Sequence, residues 1–178
     1  MSNLRHAFYV QPMNQVYIET IAMYVIWTAL MLLLRGKSRR IVSCIGVVCA
    51  VALIVLYTIY RRGGSEEAVS LIPFISFINA KTQPEFYRTM FMNMLLFLPL
   101  GLSLPFALSE KMKHKVLISI LCGLILSVLV EVLQYVFRLG RCETDDVLMN
   151  TLGVLIGVTS YLLCGLIAVC RNKYRKKH

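Results

Sequence analysis

The chain has 178 residues, of which 58% are hydrophobic and 16% charged, and its formal net charge is +10. A mean hydropathy of +0.70, with the apolar residues gathered into long runs, excludes an ordinary soluble domain. It also turns the positive charge away from nucleic acid, because lysine and arginine in a membrane protein collect in the cytoplasmic connections.

Five runs are long enough to cross a hydrocarbon layer of ~30 Å, which takes roughly 20 residues at a rise of about 1.5 Å each. They fall at about Val16–Leu34, Ile41–Tyr60, Phe91–Ser109, Val116–Phe137 and Val147–Cys170. The prediction is an all-α integral membrane protein, a five-span helical bundle forming a single domain over residues 1–178. Residues 1–15 lack the apolar core and small-residue cleavage site of a signal peptide. They read as an interfacial segment, with the first span directing its own insertion. Arg35, Lys37, Arg39 and Arg40 fill the first connection, Lys111, Lys113 and Lys115 the third, and Arg171, Lys173, Arg175, Lys176 and Lys177 the tail. The positive-inside rule puts these regions in the cytoplasm, with the N-terminus outside and the C-terminus inside. Every acidic residue except Glu110 then falls on or near the outer side.

The first span carries Glu19 near its outer end, either as a carboxylate reaching headgroup water or as part of a pocket. Tyr24 and Trp27 sit deeper than an aromatic belt and read as helix packing. The second span has no charge and reads as scaffold. Between 61 and 90, RRGGSEE is a polar opening with two glycine breakers. SLIPFISFI, from Ser70 to Ile78, is too short to cross and is interrupted by Pro73. It is expected to be an interfacial or re-entrant segment, either a clip or a substrate-facing lid.

The third span holds Pro99 and Pro105, which remove backbone donors and crowd the carbonyls of Leu95 and Gly101. A proline-broken span is expected, lining a cavity or simply kinked. Asn93 stands at its outer entry. On the fourth span Glu131 and Gln134 share one face, and Arg138 continues it. A bare carboxylate at that depth is protonated or paired. The turn RLGRCETDD supplies Arg141, then Asp145 and Asp146 at the positive end of the fifth helix. Asp146, Asn150, Gly153 and Gly157 follow as one stripe, the glycines permitting close approach to another span. Of the six cysteines, Cys44, Cys49, Cys122, Cys164 and Cys170 lie in apolar runs as small hydrophobes, and Cys142 lies in a polar loop. Their spacing suits neither a metal site nor a disulfide framework.

Several of these pieces match a known family in order and spacing. They are LIPF at 71–74, N-x-x-L-F-x-P-x-G from Asn93 to Gly101, E-x-x-Q at Glu131 to Gln134, Arg141, Asp145–Asp146, and N-x-x-G-x-x-x-G from Asn150 to Gly157. The chain resembles the VanZ-like membrane proteins, a group named for a teicoplanin-resistance accessory protein of Gram-positive bacteria. Between Arg141 and Asp145 it has Cys-Glu-Thr, where relatives often place apolar or aromatic residues. The resemblance implies low-level resistance to the lipoglycopeptide teicoplanin without rebuilding the peptidoglycan precursor, in a bacterial cytoplasmic membrane. It supplies no mechanism.

Three readings compete for Asn93, Glu131, Gln134, Arg138, Arg141, Asp145, Asp146 and Asn150. In the first, the polar residues pair with one another and fix helix register. In the second they form an outward-facing site for a lipid headgroup or amphiphile. The arginines would hold a phosphate or carboxylate, and the third span and LIPF segment an acyl chain. That suits teicoplanin, whose fatty acyl tail distinguishes it from vancomycin. In the third the protein is an enzyme acting on a lipid-linked envelope precursor. Glu131 would then be general acid or base, and Asp145 and Asp146 would hold a divalent metal such as Mg²⁺. No paired-histidine set, nucleophile with a nearby histidine, or phosphate-cradling glycine loop accompanies them. The partners expected are membrane lipid and either teicoplanin or a lipid-linked precursor, with no nucleic acid.

Overall fold

The computed structural model describes residues 12–60, 69–70, 72–79, 81–83, 85–139 and 142–175. In order these form α1 (Met13–Leu33), α2 (Gly36–Val55) running into one π turn (Leu56–Tyr60), and the two-residue β1 (Val69–Ser70). After it come the short α3 (Ile75–Asn79), then α4 (Glu85–Ala107), α5 (Lys115–Val136), the two-residue β2 (Cys142–Glu143) and α6 (Thr144–Arg175). Five of the helices are long and apolar enough to cross a membrane. The protein is an all-α membrane bundle, as its apolar runs predict.

The helix ends differ from the apolar runs in a consistent direction. α2 starts at Gly36 and already contains Lys37, Arg39 and Arg40, α4 starts at Glu85, and α6 starts at Thr144 and continues to Arg175. Hydropathy marks only the stretch that hydrocarbon requires, whereas the helix itself continues into the interface, where long cationic side chains snorkel to water.

α4 is the centre of the bundle. Half of its most apolar window (50%) is buried inside the protein, against 17% for α1 and 22–33% for the others. Its main partner is α6, followed by α2. The α4–α6 crossing is made by glycines. A Cβ added at Gly157 would lie 2.6 Å from both the Leu98 carbonyl oxygen and the Leu102 nitrogen. One added at Gly153 would collide with the Met94 carbonyl oxygen, and one at Gly101 with that of Val154. The two backbones touch there, which is what small-x-x-x-small spacing permits between membrane helices. Because Met94 meets Gly153 and Leu98 meets Gly157, the two helices run parallel.

α4 is helical throughout Glu85–Ala107, with Pro99 and Pro105 inside it. The expected interruption of this span is therefore a continuous helix. Trp27 on α1 donates its Nε1–H to the Leu102 carbonyl at 2.9 Å, next in the chain to the Gly101 carbonyl whose helical donor Pro105 removes. Trp27 is thus a packing residue, and its ring also abuts Gly46 of α2. α1 is further tied to α6 by Tyr24–Thr159 (2.6 Å) and Thr28–Ser160 (2.9 Å) hydroxyl pairs.

β1 and β2 pair in parallel, Val69 opposite Cys142 and Ser70 opposite Glu143. This short bridge fastens the segment before α4 to the turn before α6. The five described cysteine side chains are free thiols.

Candidate functional site

The acids and amides predicted for the site lie at the end of the bundle where α4 and α6 begin. α5 contributes a stripe of small and polar residues, Ser119, Gly123, Ser127, Glu131 and Gln134, all buried. Their spacing of four, four, four and three keeps them on one helix face. Glu131 and Gln134 therefore share a face as expected, and they are only 4% and 1% exposed.

Each of these groups is engaged differently. Glu131 accepts the backbone N–H of Glu143 on Oε2 at 3.1 Å, so the carboxylate holds the turn into α6. Gln134 donates from Nε2 to the Thr58 carbonyl at 3.0 Å, inside the π turn that ends α2. Such turns leave main-chain carbonyls with altered partners, and here a neighbouring helix supplies one. Asn150 of α6 donates from Nδ2 to Ser127 Oγ at 2.9 Å, joining α6 to α5.

Asp145 is the most enclosed carboxylate whose partners are resolved, at 1% exposure. Its Oδ1 accepts the N–H of Phe74 at 2.6 Å and its Oδ2 the N–H of Ser76 at 2.8 Å. These amides open α3, so Asp145 caps the LIPF segment from across the fold, as a carboxylate at a helix start does locally. Phe74 has φ +66°, a left-handed conformation costing about 1–2 kcal/mol in a side-chain-bearing residue. Two charge-assisted hydrogen bonds offset that. Ser76 Oγ and Thr144 Oγ1 add longer links of 3.4 Å to Glu143 and to the Ser70 carbonyl. The clip so fixed packs on α4 and leaves Ile72, Phe74, Phe77 and Ile78 exposed.

Of the remaining predicted residues, Asp146 is buried at the start of α6 and is engaged within the protein. Arg138 is exposed and ends α5. It has φ +53°, its N–H reaches the Tyr135 carbonyl, and the Leu139 N–H reaches that of Gln134 at 2.8 Å. This is a Schellman termination with arginine where glycine is usual. Arg141 lies outside the described residues. Asn93 stands about two turns inside α4, because that helix begins at Glu85, ahead of the apolar run.

Among the described residues, the amides of Asn93 and Asn150 each keep a buried atom with no hydrogen-bond partner in the protein, Nδ2 and Oδ1. Asn150 is 3% exposed. The Ser127 hydroxyl can either donate or accept, so one end of the Asn150 amide stays open whichever way it faces.

A family model described as VanZ/LLP1 matches residues 43–165, more than half of the chain. The chain belongs to the VanZ/LLP1 family. No curated protein and no solved structure matches it. The VanZ match runs from within α2 to within α6 and so contains the clip, the polar face of α5 and the glycine crossing.

Sequence reasoning missed three parts of this VanZ site. Ser127 was legible, since it precedes Glu131 by one turn on the same face. Thr58 and its π turn carried no signal in an uncharged run. The capping of the clip by Asp145 spans 71 positions of sequence and follows from no local period. Among the described residues no group of three or more His, Cys, Asp or Glu could hold a metal ion, and both Asp145 oxygens are occupied by backbone donors.

Proposed function

We propose that this VanZ-family membrane protein confers low-level resistance to teicoplanin by engaging an amphiphile or lipid headgroup at a polar intramembrane site. The observation that carries the reading is the pair of open amide groups, one buried end each on Asn93 and Asn150. A buried amide end left unsatisfied costs about 1–3 kcal/mol, which a ligand's polar head would recover. The aromatic and aliphatic side chains of the clip, exposed beside α4, suit an acyl chain entering from the bilayer. The cationic connections lie at the opposite end of the bundle, so the positive-inside rule turns this site outward, in the outer half of a bacterial cytoplasmic membrane. The N-terminus is then outside and the C-terminus inside. Arg138, exposed at the end of α5, would meet a phosphate or carboxylate there.

The structural reading is favoured for Asp145, Glu131 and Gln134, whose hydrogen bonds hold the clip, the turn and the π turn together. Ligand contact is assigned to Asn93 and Asn150.

The test is growth of a susceptible Gram-positive host in teicoplanin and in vancomycin, with the wild-type protein, Asn93→Leu, Asn150→Leu or none. Teicoplanin resistance that is absent for vancomycin, and lost in both variants at equal membrane abundance, is expected. Equal protection against both drugs, or full resistance in both leucine variants, overturns the proposal.

A further inference from the structure

At the end of the bundle away from the polar cluster, a cavity of about 290 Å³ opens between α2, α4, α5 and α6. Gly36, Arg39 and Arg40 line it from the first turns of α2, Lys115 from the first residue of α5, and Tyr161 from α6. From these features we infer that the cavity holds the phosphodiester headgroup of an anionic phospholipid, in the leaflet that meets the basic end.

Three independent features converge there. The first is charge, since three cations line the cavity and Glu110 is its one acidic wall residue. The second is a pair of helix starts. Neither α2 nor α5 has an acidic residue in its first turn, and neither N-cap side chain, Arg35 or His114, bonds to the helix. Two positive macrodipole ends without side-chain caps therefore border one recess, through Gly36 and Lys115, an arrangement suited to phosphate oxygens.

The third feature is preorganisation. Arg39 donates its Nε–H to the Leu34 carbonyl at 2.9 Å, at the end of α1, and Arg40 donates to the Ala107 carbonyl at 3.2 Å, at the end of α4. Each guanidinium is fixed through one nitrogen and keeps its terminal N–H groups for a planar acceptor. Lys115 Nζ lies 5.7 Å from the centroid of the Tyr161 ring, within cation–π range. The volume is at the small end of ligand sites, which start at ~300 Å³. It fits a headgroup whose acyl chains remain in the bilayer, and basic recesses between membrane helices recognise lipids in this way.

The test uses the full chain in nanodiscs of equal phosphatidylglycerol and phosphatidylcholine, with retained lipid counted by native mass spectrometry. Wild type is expected to retain phosphatidylglycerol selectively. At roughly fivefold per basic side chain, the triple variant Arg39→Gln, Arg40→Gln, Lys115→Gln should lose on the order of a hundredfold in that preference. Arg171→Gln with Lys173→Gln, outside the cavity, should leave it unchanged. Glu110→Gln keeps every cation and guards against misfolding of the triple variant, and it should raise retention several-fold. No preference in wild type, an undiminished one in the triple variant, or unchanged retention in Glu110→Gln overturns the inference. Full displacement of the lipid by millimolar inorganic phosphate would reassign the site to a free anion and overturn the lipid assignment.

Discussion

Removing the carboxylate of Asp145 should release the clip before it affects the rest of the bundle. The side chain accepts two backbone N–H groups, from Phe74 at 2.6 Å and Ser76 at 2.8 Å. Hydrogen bonds to a charged group contribute about 1.5–3 kcal/mol each. Asp145→Asn keeps one accepting oxygen and turns an NH₂ toward the other amide. It should therefore weaken clip docking by about 1.5–3 kcal/mol, roughly ten- to a hundredfold in the opening equilibrium. Asp145→Ala removes both acceptors and should cost about 3–6 kcal/mol, reduced by the ~1–2 kcal/mol regained when Phe74 leaves its left-handed conformation. Amide hydrogen exchange in nanodiscs reads this directly. Peptides covering 72–79 should lose protection in the order wild type, Asn, Ala, while those from α4 and α6 keep theirs. Equal protection of the clip in Asp145→Ala and wild type would refute the capping argument. The same variants bear on function, since an undocked clip with unchanged teicoplanin resistance would remove the clip from the proposed acyl contact.

Two further outcomes follow from backbone geometry. Gly157→Ala places a methyl 2.6 Å from the Leu98 and Leu102 backbones and should destabilise the bundle by about 1–3 kcal/mol as overpacking does. Gly165→Ala, where a Cβ meets nothing within 4 Å, should be neutral or gain about 0.5–1 kcal/mol from reduced backbone freedom. Thermal melts of the two proteins in one detergent check the contrast, and matching melting temperatures would contradict it. Arg138→Gly relieves a positive φ and should stabilise by up to about 1–2 kcal/mol. If the melt rises while resistance falls, the arginine acts on a ligand; if both fall, its side chain matters more to folding than its backbone does.

What could be read from the sequence follows from which solvent imposes the constraint. Hydrocarbon tolerates only long apolar helices, so all five spans were visible as composition. The interface tolerates nearly anything, so the ends of α2, α4 and α6 were not. That difference places Asn93 about two turns inside α4. Proline chemistry gave the right residues and an incomplete consequence. Pro99 and Pro105 do remove donors, but α4 stays helical across both. The acids were expected to be paired at depth, and Asp145 and Glu131 each accept backbone N–H groups. Glu131 with Glu143 N–H and Asp145 with Phe74 and Ser76 N–H are contacts between a side chain and a main chain far away, and no residue pattern announces an amide as a partner.

The glycine crossing explains why those partners are within reach. Met94 on Gly153 and Leu98 on Gly157 make α4 and α6 parallel, so the one helix between them, α5, must return the chain to the starting end. The segments entering α4 and α6 then lie side by side, which is why β1 and β2 pair in parallel and why Asp145, at the first turn of α6, finds the amides that precede α4. The same parity sends the α1–α2 and α4–α5 connections and the end of α6 to the other face, gathering Arg39, Arg40 and Lys115 around one cavity. Asp145 tied to backbone at one end and cations around open helix starts at the other are thus two results of one packing choice. A substitution that separates α4 from α6 at Gly153 or Gly157 should loosen both ends together, whereas Asp145→Ala should loosen only one.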